Sequence, residues 1–457
     1  MQFAKKQMKK ERIIVGMDGG IDSAVTALLL KKQGHECIGV NISFFERITS
    51  EDEALVEQFK AKLTPEGQLP EELRGDEEQL EAFRHYEKIT WLKKINNIFA
   101  PWASESEERI RDICRLIGIP FYVTSASSAF EERVISKLLE GRVAGVWVNP
   151  TIDKATLVLE TLYSKLSVLK ATKIATGHYC KVIPVQNRFV LSAPNDPIKN
   201  DCHLLIEAND ELMSHLILPL ADLKTSEVDK IGQLVDSKTI SRAEHDRKAS
   251  LRAKAYASEE IIELTDRYIA PSFIKENTIY LHDDDSVVGE HKGQHQYYLG
   301  QTQYKTFDNK PKAPDSKVVS INMSRGFIYV AKAKELTFER IVGNHFVNYE
   351  VVDTSKPVEC FCRISSSGEV YKGNLFLLNN GNIYFDLDDK SSGIHFRGDH
   401  FIFLTKNGPS AKVIGHARIF QTGQFIEGEF YRLPLNKKQK EANEEAQSRP
   451  KKRELGF

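Results

Sequence analysis

The first part of the chain alternates short apolar runs with longer amphipathic stretches. The β-rich run Arg12–Val15 leads into a glycine-rich turn, and Ser23–Lys32 then has the apolar spacing of a helix that ends before Gly34. A second β-rich run, Cys37–Ile42, follows. Strands separated by helical stretches predict parallel βαβ units with right-handed crossovers.

This alternation is interrupted and then resumes. Residues 46–106 are strongly charged and helix-prone, and we interpret them as an inserted helical excursion. Beyond the insert the pattern predicts, in chain order, a helix over Glu108–Leu116, a strand over Pro120–Thr124, helices over Glu131–Leu139 and Ala155–Leu169, and a strand over Lys173–Thr176. The sequence therefore predicts a doubly wound α/β domain over residues 1–220.

The second half of the chain has a different pattern. A charged helical linker begins near residue 221, and from about Ser272 short alternating strands are punctuated by Gly and Asn. We predict two small β units, 221–345 with the linker and 346–435, divided near Phe346. Residues 436–457 are rich in Lys and Glu without an apolar period, which predicts a disordered tail. The predicted fold class is thus α/β followed by β.

Composition adds constraints on location and partners. The 457 residues are 28% charged and 41% hydrophobic, with no apolar run near the ~20 residues of a membrane span. The basic first ten residues lack the apolar segment of a secretory signal, so a cytoplasmic location is expected. Because the net charge is −1, binding of RNA would require local basic patches.

The six cysteines are scattered along the chain without a CxxC pair. This spacing favours neither a disulfide framework nor a thiolate zinc site. Cys360 and Cys362 alternate along a predicted strand, which puts both thiols on one face and favours core packing over redox chemistry.

The glycine-rich turn between the first strand and helix is a candidate phosphate-binding loop. Glycines let backbone N–H groups approach phosphate oxygens, and the helix N-terminus adds a favourable partial charge. The turn lacks the Lys of a Walker A loop and the GxGxxG spacing of a dinucleotide site. A tight turn without ligand is the alternative. Its residues are Gly16, Met17, Asp18, Gly19, Gly20, Ile21, Asp22 and Ser23.

Three segments, in the same order, resemble those of one enzyme family. The loop GMDGGIDS is followed by ATGHY at Ala175–Tyr179, and then by Gly289–Gly293 with Tyr298–Gln301. They are similar to GMSGGVDS, ATGHY and GxHxG…YTIGQ of the tRNA-specific 2-thiouridylases. The resemblance covers roughly residues 12–45 and 108–425.

The resemblance implies an architecture and a reaction. The architecture is a PP-loop ATP pyrophosphatase domain, a small central domain and a C-terminal β-barrel. The reaction uses ATP and Mg²⁺ to adenylate a tRNA wobble uridine, after which an enzyme persulfide displaces AMP. The implied partners are tRNA and a sulfur-donor protein, with neither DNA nor a membrane.

The resemblance also assigns residues. Gly16–Ser23 would surround the phosphates of ATP, Ile42 would contact adenine, and Gly177 would approach the nucleotide. His178 is either a ligand or a structural hydrogen-bonding group. The implied tRNA contacts are Asn149, Pro150, Thr151, Lys199, Asn200 and Asp201.

The cysteines of the family reaction are missing from their positions. The first falls at Lys154 and the second near Ala249, and neither side chain can carry a persulfide. Cys180 and Cys202 are candidate substitutes. Cys202 adjoins His203, but we expect the two on a strand, where neighbouring side chains point to opposite faces.

Asp18 is a second departure, since it occupies the position of a loop serine in the family. Its carboxylate either repels the triphosphate or helps to hold Mg²⁺. We therefore expect a divergent 2-thiouridylase homologue that lacks the sulfur-transfer cysteines. The alternatives are a pseudoenzyme that binds RNA or protein, and a PP-loop enzyme that adenylates another substrate.

Overall fold

The computed structural model describes most of the chain. Its described residues are 10–46, 48–64, 68–99, 103–196, 198–235, 259–301, 316–332, 336–365, 368–378, 380–393, 395, 397–426, 429–435 and 438–442. Ala249, the segment after Gln301 and most of the predicted tail lie outside these residues.

The chain forms two compact units, each assembled from three separate segments. Unit 1 consists of Met1–Arg133, Lys154–Tyr179 and Ala208–Glu260. Unit 2 consists of Val134–Asp153, Cys180–Glu207 and Ile261–Phe457. The domain boundaries near residues 220 and 345 stay predictions.

The helices and strands follow the predicted order. The helices are α1 Ile21–Lys32, α2 Ser50–Lys60, α3 Glu77–Phe99, α4 Ala103–Ile117, α5 Ser127–Phe130, α6 Ser136–Ala144, α7 Pro150–Ser164, α8 Asp210–His215, α9 Thr225–Gly232 and α10 Glu259–Tyr268. The strands are β1 Arg12–Gly16, β2 Glu36–Ser43, β3 Phe121–Ser125, β4 Lys173–Ala175, β5 Lys181–Val185, β6 Arg188–Ser192, β7 Leu216–Ile217, β8 Asn277–Leu281, β9 Val287–His291, β10 Ser316–Ile321, β11 Ile328–Lys332, β12 Thr337–Asn348, β13 Val358–Ile364, β14 Val370–Leu377, β15 Ile383–Ser392, β16 His400–Leu404, β17 Val413–Ile426 and β18 Glu429–Arg432.

Unit 1 is built on a parallel sheet with strand order β3-β2-β1-β4-β7. The chain moves outward from β1 to β2 and β3 on one side, and β4 and β7 lie on the other, so the order reverses at β1. The apolar run Ile13–Val15 is fully buried in the middle of this sheet. The predicted doubly wound fold is confirmed.

Helices cover the sheet through apolar faces. On α4 the buried residues Ile110, Ile113 and Cys114 recur at helical spacing, as expected for an amphipathic helix packed on a sheet. Helix α1 is buried on most of its sides, with Ser23–Ala27 buried consecutively. The core beneath them contains Ile13, Val15, Met17, Ala24, Ala27, Leu30, Cys37, Ile110, Ile113, Cys114, Ile119 and Ala175.

The charged insert contains the helices α2 and α3, as predicted. A capping box begins α2: the Thr49 hydroxyl accepts from the Asp52 amide at 3.1 Å, and the Asp52 carboxylate accepts from the Thr49 amide at 2.7 Å. Phe59 of α2 stacks on Tyr86 of α3 with ring centroids 5.8 Å apart. The two helices therefore pair through an aromatic contact within a strongly polar segment.

Two predicted helices differ at their boundaries. The helix predicted over Glu131–Leu139 begins as a π-helical stretch, Glu131–Ile135, before α6. The helix predicted over Ala155–Leu169 is α7, which begins five residues earlier, at Pro150, and ends at Ser164.

Unit 2 contains the β structure predicted for the second half of the chain. The β5–β6 hairpin accompanies a four-stranded sheet of order β10-β11-β8-β9. The antiparallel strands β12-β15-β14-β13-β16-β17 close into a six-stranded barrel because β12 also pairs with β17. Cys360 and Cys362 on β13 both lie buried in the barrel core, as predicted.

No helix within the described parts of the chain is both long enough and apolar enough to cross a lipid bilayer.

Candidate functional site

The glycine-rich loop joins the carboxyl end of β1 to the N-terminus of α1. Open α/β sheets bind ligands outside the carboxyl ends of their strands, where the strand order reverses. Here that position is the gap between β1 and β4. Ile42, near the carboxyl end of β2, and Gly177, after β4, belong to the same edge of the sheet.

The base of the loop is fixed by hydrogen bonds to β2. The Met17 amide donates to the Val40 carbonyl at 2.8 Å, and Asn41 Nδ2 donates to the Met17 carbonyl at 2.8 Å. Gly19 has a φ of +82°, in the left-handed region that favours glycine. The loop thus has a defined backbone path, and sequence reasoning did not identify Asn41 as part of it.

Asp18 folds back onto its own loop. Its Oδ1 accepts a hydrogen bond from the Gly20 amide at 2.9 Å and one from the Ser23 hydroxyl at 2.5 Å. The side chain is otherwise exposed. The carboxylate therefore uses a donor at the N-terminus of α1, the position where a phosphate is electrostatically favoured.

Gly177 permits a close approach between the segment after β4 and the first turn of α1. A Cβ at this position would lie 2.9 Å from the Asp22 carbonyl carbon and 3.0 Å from the Ser23 amide nitrogen. The fully buried Tyr179 donates its hydroxyl to Asp22 Oδ1 at 3.0 Å. The ATGHY segment is thus held against the first turn of α1 by this hydrogen bond and by the close approach at Gly177. The local sequence gives no sign of either contact.

Two other predicted residues of unit 1 have mainly structural contacts. His178 Nδ1 is 2.8 Å from the Thr176 hydroxyl oxygen, the hydrogen bond that the structural interpretation expected. Ile42 is half-buried and pairs with Thr124 of β3.

Lys154, at the expected position of the first family cysteine, lies on α7 in unit 1. Its Nζ is 4.9 Å from the centroid of the Phe44 ring, which packs on Phe130 at 4.9 Å. An ammonium at this distance from a ring face makes a cation–π contact. The position is therefore occupied by a cation that contacts Phe44, the residue directly after β2, which in turn packs on Phe130 of α5.

The predicted tRNA contacts all belong to unit 2. Asn149 caps α7, since its Oδ1 accepts from the Thr151 amide at 3.1 Å and the Thr151 hydroxyl at 2.5 Å, and Pro150 follows at the first helical position. The Asn200 side chain accepts from the Cys202 amide at 3.0 Å. Asp196 accepts from the Lys199 amide at 2.7 Å, and the Asp201 carbonyl accepts from the Leu204 amide at 2.9 Å.

Cys180 and Cys202 lie side chain to side chain in unit 2. Their Sγ atoms are 3.1 Å apart, and both residues are fully buried. Cys202 lies in the 3-10 turn Cys202–Leu204, so the expectation that it lies on a strand is wrong. Burial raises the pKa of the Cys180 thiol well above its ordinary value.

The chain matches known proteins over most of its length. The profile of the tRNA methyl transferase HUP domain matches residues 11–63 and 79–247. A tRNA-specific 2-thiouridylase from Clostridium acetobutylicum is 23% identical over 383 residues, which span 82% of this chain and 90% of the relative. One from Clostridium botulinum (strain Alaska E43) is 25% identical over 410 residues, spanning 88% and 96%. This chain belongs to the tRNA-specific 2-thiouridylase family.

Other matches agree with the family assignment or add nothing to it. A tRNA-specific 2-thiouridylase from Leptospira interrogans is 28% identical over 295 residues, 64% of this chain and 65% of the relative. The family profile leaves residues 64–78 of this chain unmatched, a stretch that ends within the first turn of α3. It does match residues 46–63 and 79–107, which the sequence analysis placed outside the resemblance. The solved structure of an NMN synthetase from Francisella tularensis aligns with 59% of this chain and with 92% of the synthetase chain, at 14% sequence identity. Its TM-score of 0.24 is too low to infer a shared fold from this match.

Proposed function

We propose that this 2-thiouridylase family member binds ATP at Gly16–Ser23 and adenylates a tRNA uridine. The observation that carries the proposal is a glycine-rich loop at a strand–helix junction where the strand order reverses. ATP supplies the adenylyl group, with pyrophosphate as the leaving group. Backbone amides at the start of α1 would stabilise the charge that develops on that pyrophosphate.

We propose separate roles in nucleotide binding for the residues around the loop. Gly177 lets the segment after β4 pack against the first turn of α1, and Ile42 would offer apolar surface to adenine. Mg²⁺ would be bound by the phosphate oxygens of ATP, which are ligands of the kind that it prefers. In this arrangement Asp18 must release the Gly20 amide when the nucleotide binds.

The sulfur step is where we propose that this chain departs from its family. The ammonium group of Lys154 lies over the Phe44 ring, and an ammonium group cannot carry a persulfide. Ala249 supplies no thiol at the second position. Sulfur transfer would then require thiols of a separate donor protein, and the adenylated uridine would otherwise be open to another nucleophile.

Exchange of labelled pyrophosphate into ATP tests the proposed adenylation. We expect exchange that depends on tRNA. Exchange without tRNA would instead favour adenylation of another substrate. The double substitution Gly19→Val with Gly20→Val should abolish ATP binding in calorimetry, and unchanged binding by a folded variant would remove the loop from the proposal.

One observation favours a second candidate function, an RNA-binding pseudoenzyme. Asp18 already accepts hydrogen bonds from the loop amide and hydroxyl that a phosphate would use. If wild-type protein binds tRNA but shows no ATP binding in calorimetry, this candidate replaces the first. We propose a cytoplasmic location for either function, which fractionation of cells with an antibody to the chain would check.

A further inference from the structure

Two cysteines that are not neighbours in the sequence meet in the interior of unit 2. Cys180 precedes β5 and Cys202 begins a 3-10 turn, 22 residues later. Their sulfur atoms are 3.1 Å apart. A disulfide has an S–S length near 2.05 Å, so closure requires a movement of only about 1 Å.

The surroundings of the pair argue against sulfur delivery to RNA. Both residues are 0% exposed, and the Cys180 sulfur lies 3.7 Å from the Ser192 carbonyl oxygen and 3.5 Å from that of Lys181. A polynucleotide cannot reach sulfur atoms that no solvent contacts. Among the residues that the structure describes, no group of three His, Cys, Asp or Glu side chains is arranged to hold a metal ion.

We propose that Cys180 and Cys202 form a redox pair that closes to a disulfide on reaction with a hydroperoxide. The feature that carries the proposal is the contact between two buried thiols that are 22 residues apart in the sequence. Their enforced proximity gives the second thiol a high effective concentration at the first. The inference is independent of the adenylation proposed above.

The reaction balances in two steps. One cysteine, as thiolate, attacks the peroxide oxygen, the O–O bond breaks, and a sulfenic acid and water form. The second cysteine then attacks the sulfenic sulfur, an S–S bond forms, and a second water leaves with the remaining proton. Two thiols are oxidised by two electrons and hydrogen peroxide is reduced to two waters.

Burial makes the pair selective for its oxidant. To react with glutathione disulfide, one of the cysteine sulfurs must reach a sulfur of that bulky disulfide, whereas hydrogen peroxide is close to water in size. Burial also keeps the Cys180 thiol protonated at neutral pH, which slows its attack. We therefore expect slow oxidation by hydrogen peroxide and little by glutathione disulfide on the same time scale.

The test is a count of thiols in the full chain before and after exposure to hydrogen peroxide. Alkylation under denaturing conditions should show six thiols before oxidation and four afterwards, with a mass loss of about 2 Da. Peptide mapping should find Cys180 joined to Cys202, and dithiothreitol should restore all the thiols. The cross-link should also raise Tm by on the order of 5 °C.

Matched variants locate the effect. Cys360→Ser removes a buried cysteine of the barrel strand β13, and it should retain the cross-link. Cys180→Ser and Cys202→Ser should each lose it. Six thiols after peroxide treatment of the wild type, or a cross-link that involves other cysteines, would overturn the proposal even if the serine variants fail to fold.

Discussion

At the scale of single residues, two side chains bear on the proposed chemistry. Asp18 places a carboxylate among the donors of the candidate phosphate-binding loop, through its bond to the Gly20 amide. Lys154 places a cation where the family resemblance expects a thiol. Both departures from the family pattern were visible in the sequence. The hydrogen bond between Asp18 and the Gly20 amide was not, because it depends on the turn of the backbone at Gly19.

Replacing Asp18 by Ser should strengthen ATP binding by about tenfold, because it removes a negative charge beside the phosphates and frees the Gly20 amide. Calorimetry with and without Mg²⁺ measures the effect. Asp18→Asn is the matched control, since it keeps the acceptor oxygen and loses the charge. Loss of Mg²⁺-dependent binding in both variants would show instead that the carboxylate holds the metal.

At the scale of elements, the site depends on contacts between segments that are far apart in sequence. The apolar periods predicted β1, α1, β2 and β4, and the parallel order followed from their alternation. Two contacts could not be predicted: the hydrogen bond between Tyr179 and Asp22, and the contact between Cys180 and Cys202. The apolar periodicity of a segment predicts which of its residues are buried, but not which residues of other segments they contact. The early start of α7 could have been found, since Asn149 and Pro150 form a cap signal.

Gly177→Ala should loosen the junction between the ATGHY segment and α1. The added methyl would lie 2.9 Å from the Asp22 backbone, and such overpacking typically costs about 1–3 kcal/mol. We expect a lower Tm and weaker ATP binding, measured by thermal unfolding and calorimetry. Gly75→Ala is the control, because a Cβ there meets nothing within 4 Å; an equal effect at both glycines would contradict the packing argument.

The β16–β17 pair of the barrel should make stability depend on pH. The pKa of His416 is lowered to about 4, chiefly by burial and also by His400 and Arg418, while Glu207 acts in the opposite direction. In the unfolded chain the pKa of this histidine is near 6.5, so the unfolded chain binds the proton at a higher pH than the folded protein does. Above pH 6.5 His416 is neutral in both states, and its contribution to the free energy of unfolding is complete. It is lost as the pH falls from 6.5 towards 4, by up to about 3 kcal/mol.

Urea unfolding at pH 7 and at pH 4.5 measures this loss. In His416→Asn the difference between the two pH values should shrink, whereas the exposed His345→Asn should leave it unchanged. The Glu207 carboxyl, whose pKa is lowered to about 2 chiefly by its hydrogen bond with His400, affects stability mainly below pH 4.3. An undiminished difference in His416→Asn would assign the pH dependence to other groups.

At the scale of the whole molecule, the sequence predicted the class of fold and the family, and the structure and comparisons confirm both. The division into two interleaved units was not predicted, because reading along the chain favours contiguous domains. The nucleotide candidates fall in unit 1 and the tRNA candidates in unit 2.

An assay of the complete thiolation reaction tests the proposed loss of the sulfur-transfer cysteines. Purified protein with ATP, Mg²⁺, a persulfide donor and unmodified tRNA should give no 2-thiouridine in digested nucleosides by mass spectrometry, because Lys154 and Ala249 carry no sulfur. Product that is lost in Cys180→Ser or Cys202→Ser would show that the catalytic thiols have moved. Product that survives both changes would contradict the proposed cysteine loss.

The interleaving of the two units has a consequence for synthesis on the ribosome. Unit 1 takes its last segment from Ala208–Glu260, so more than half of the 457 residues must be translated before its parts are all present. The glycine-rich loop emerges early, yet Tyr179, whose hydroxyl bonds to Asp22 of α1, follows that residue by 157 residues. In between, the chain supplies Val134–Asp153 to unit 2. A nascent chain stalled before Tyr179 would therefore expose the loop and α1 without this hydrogen bond, and a chaperone would meet the proposed nucleotide site before it is complete.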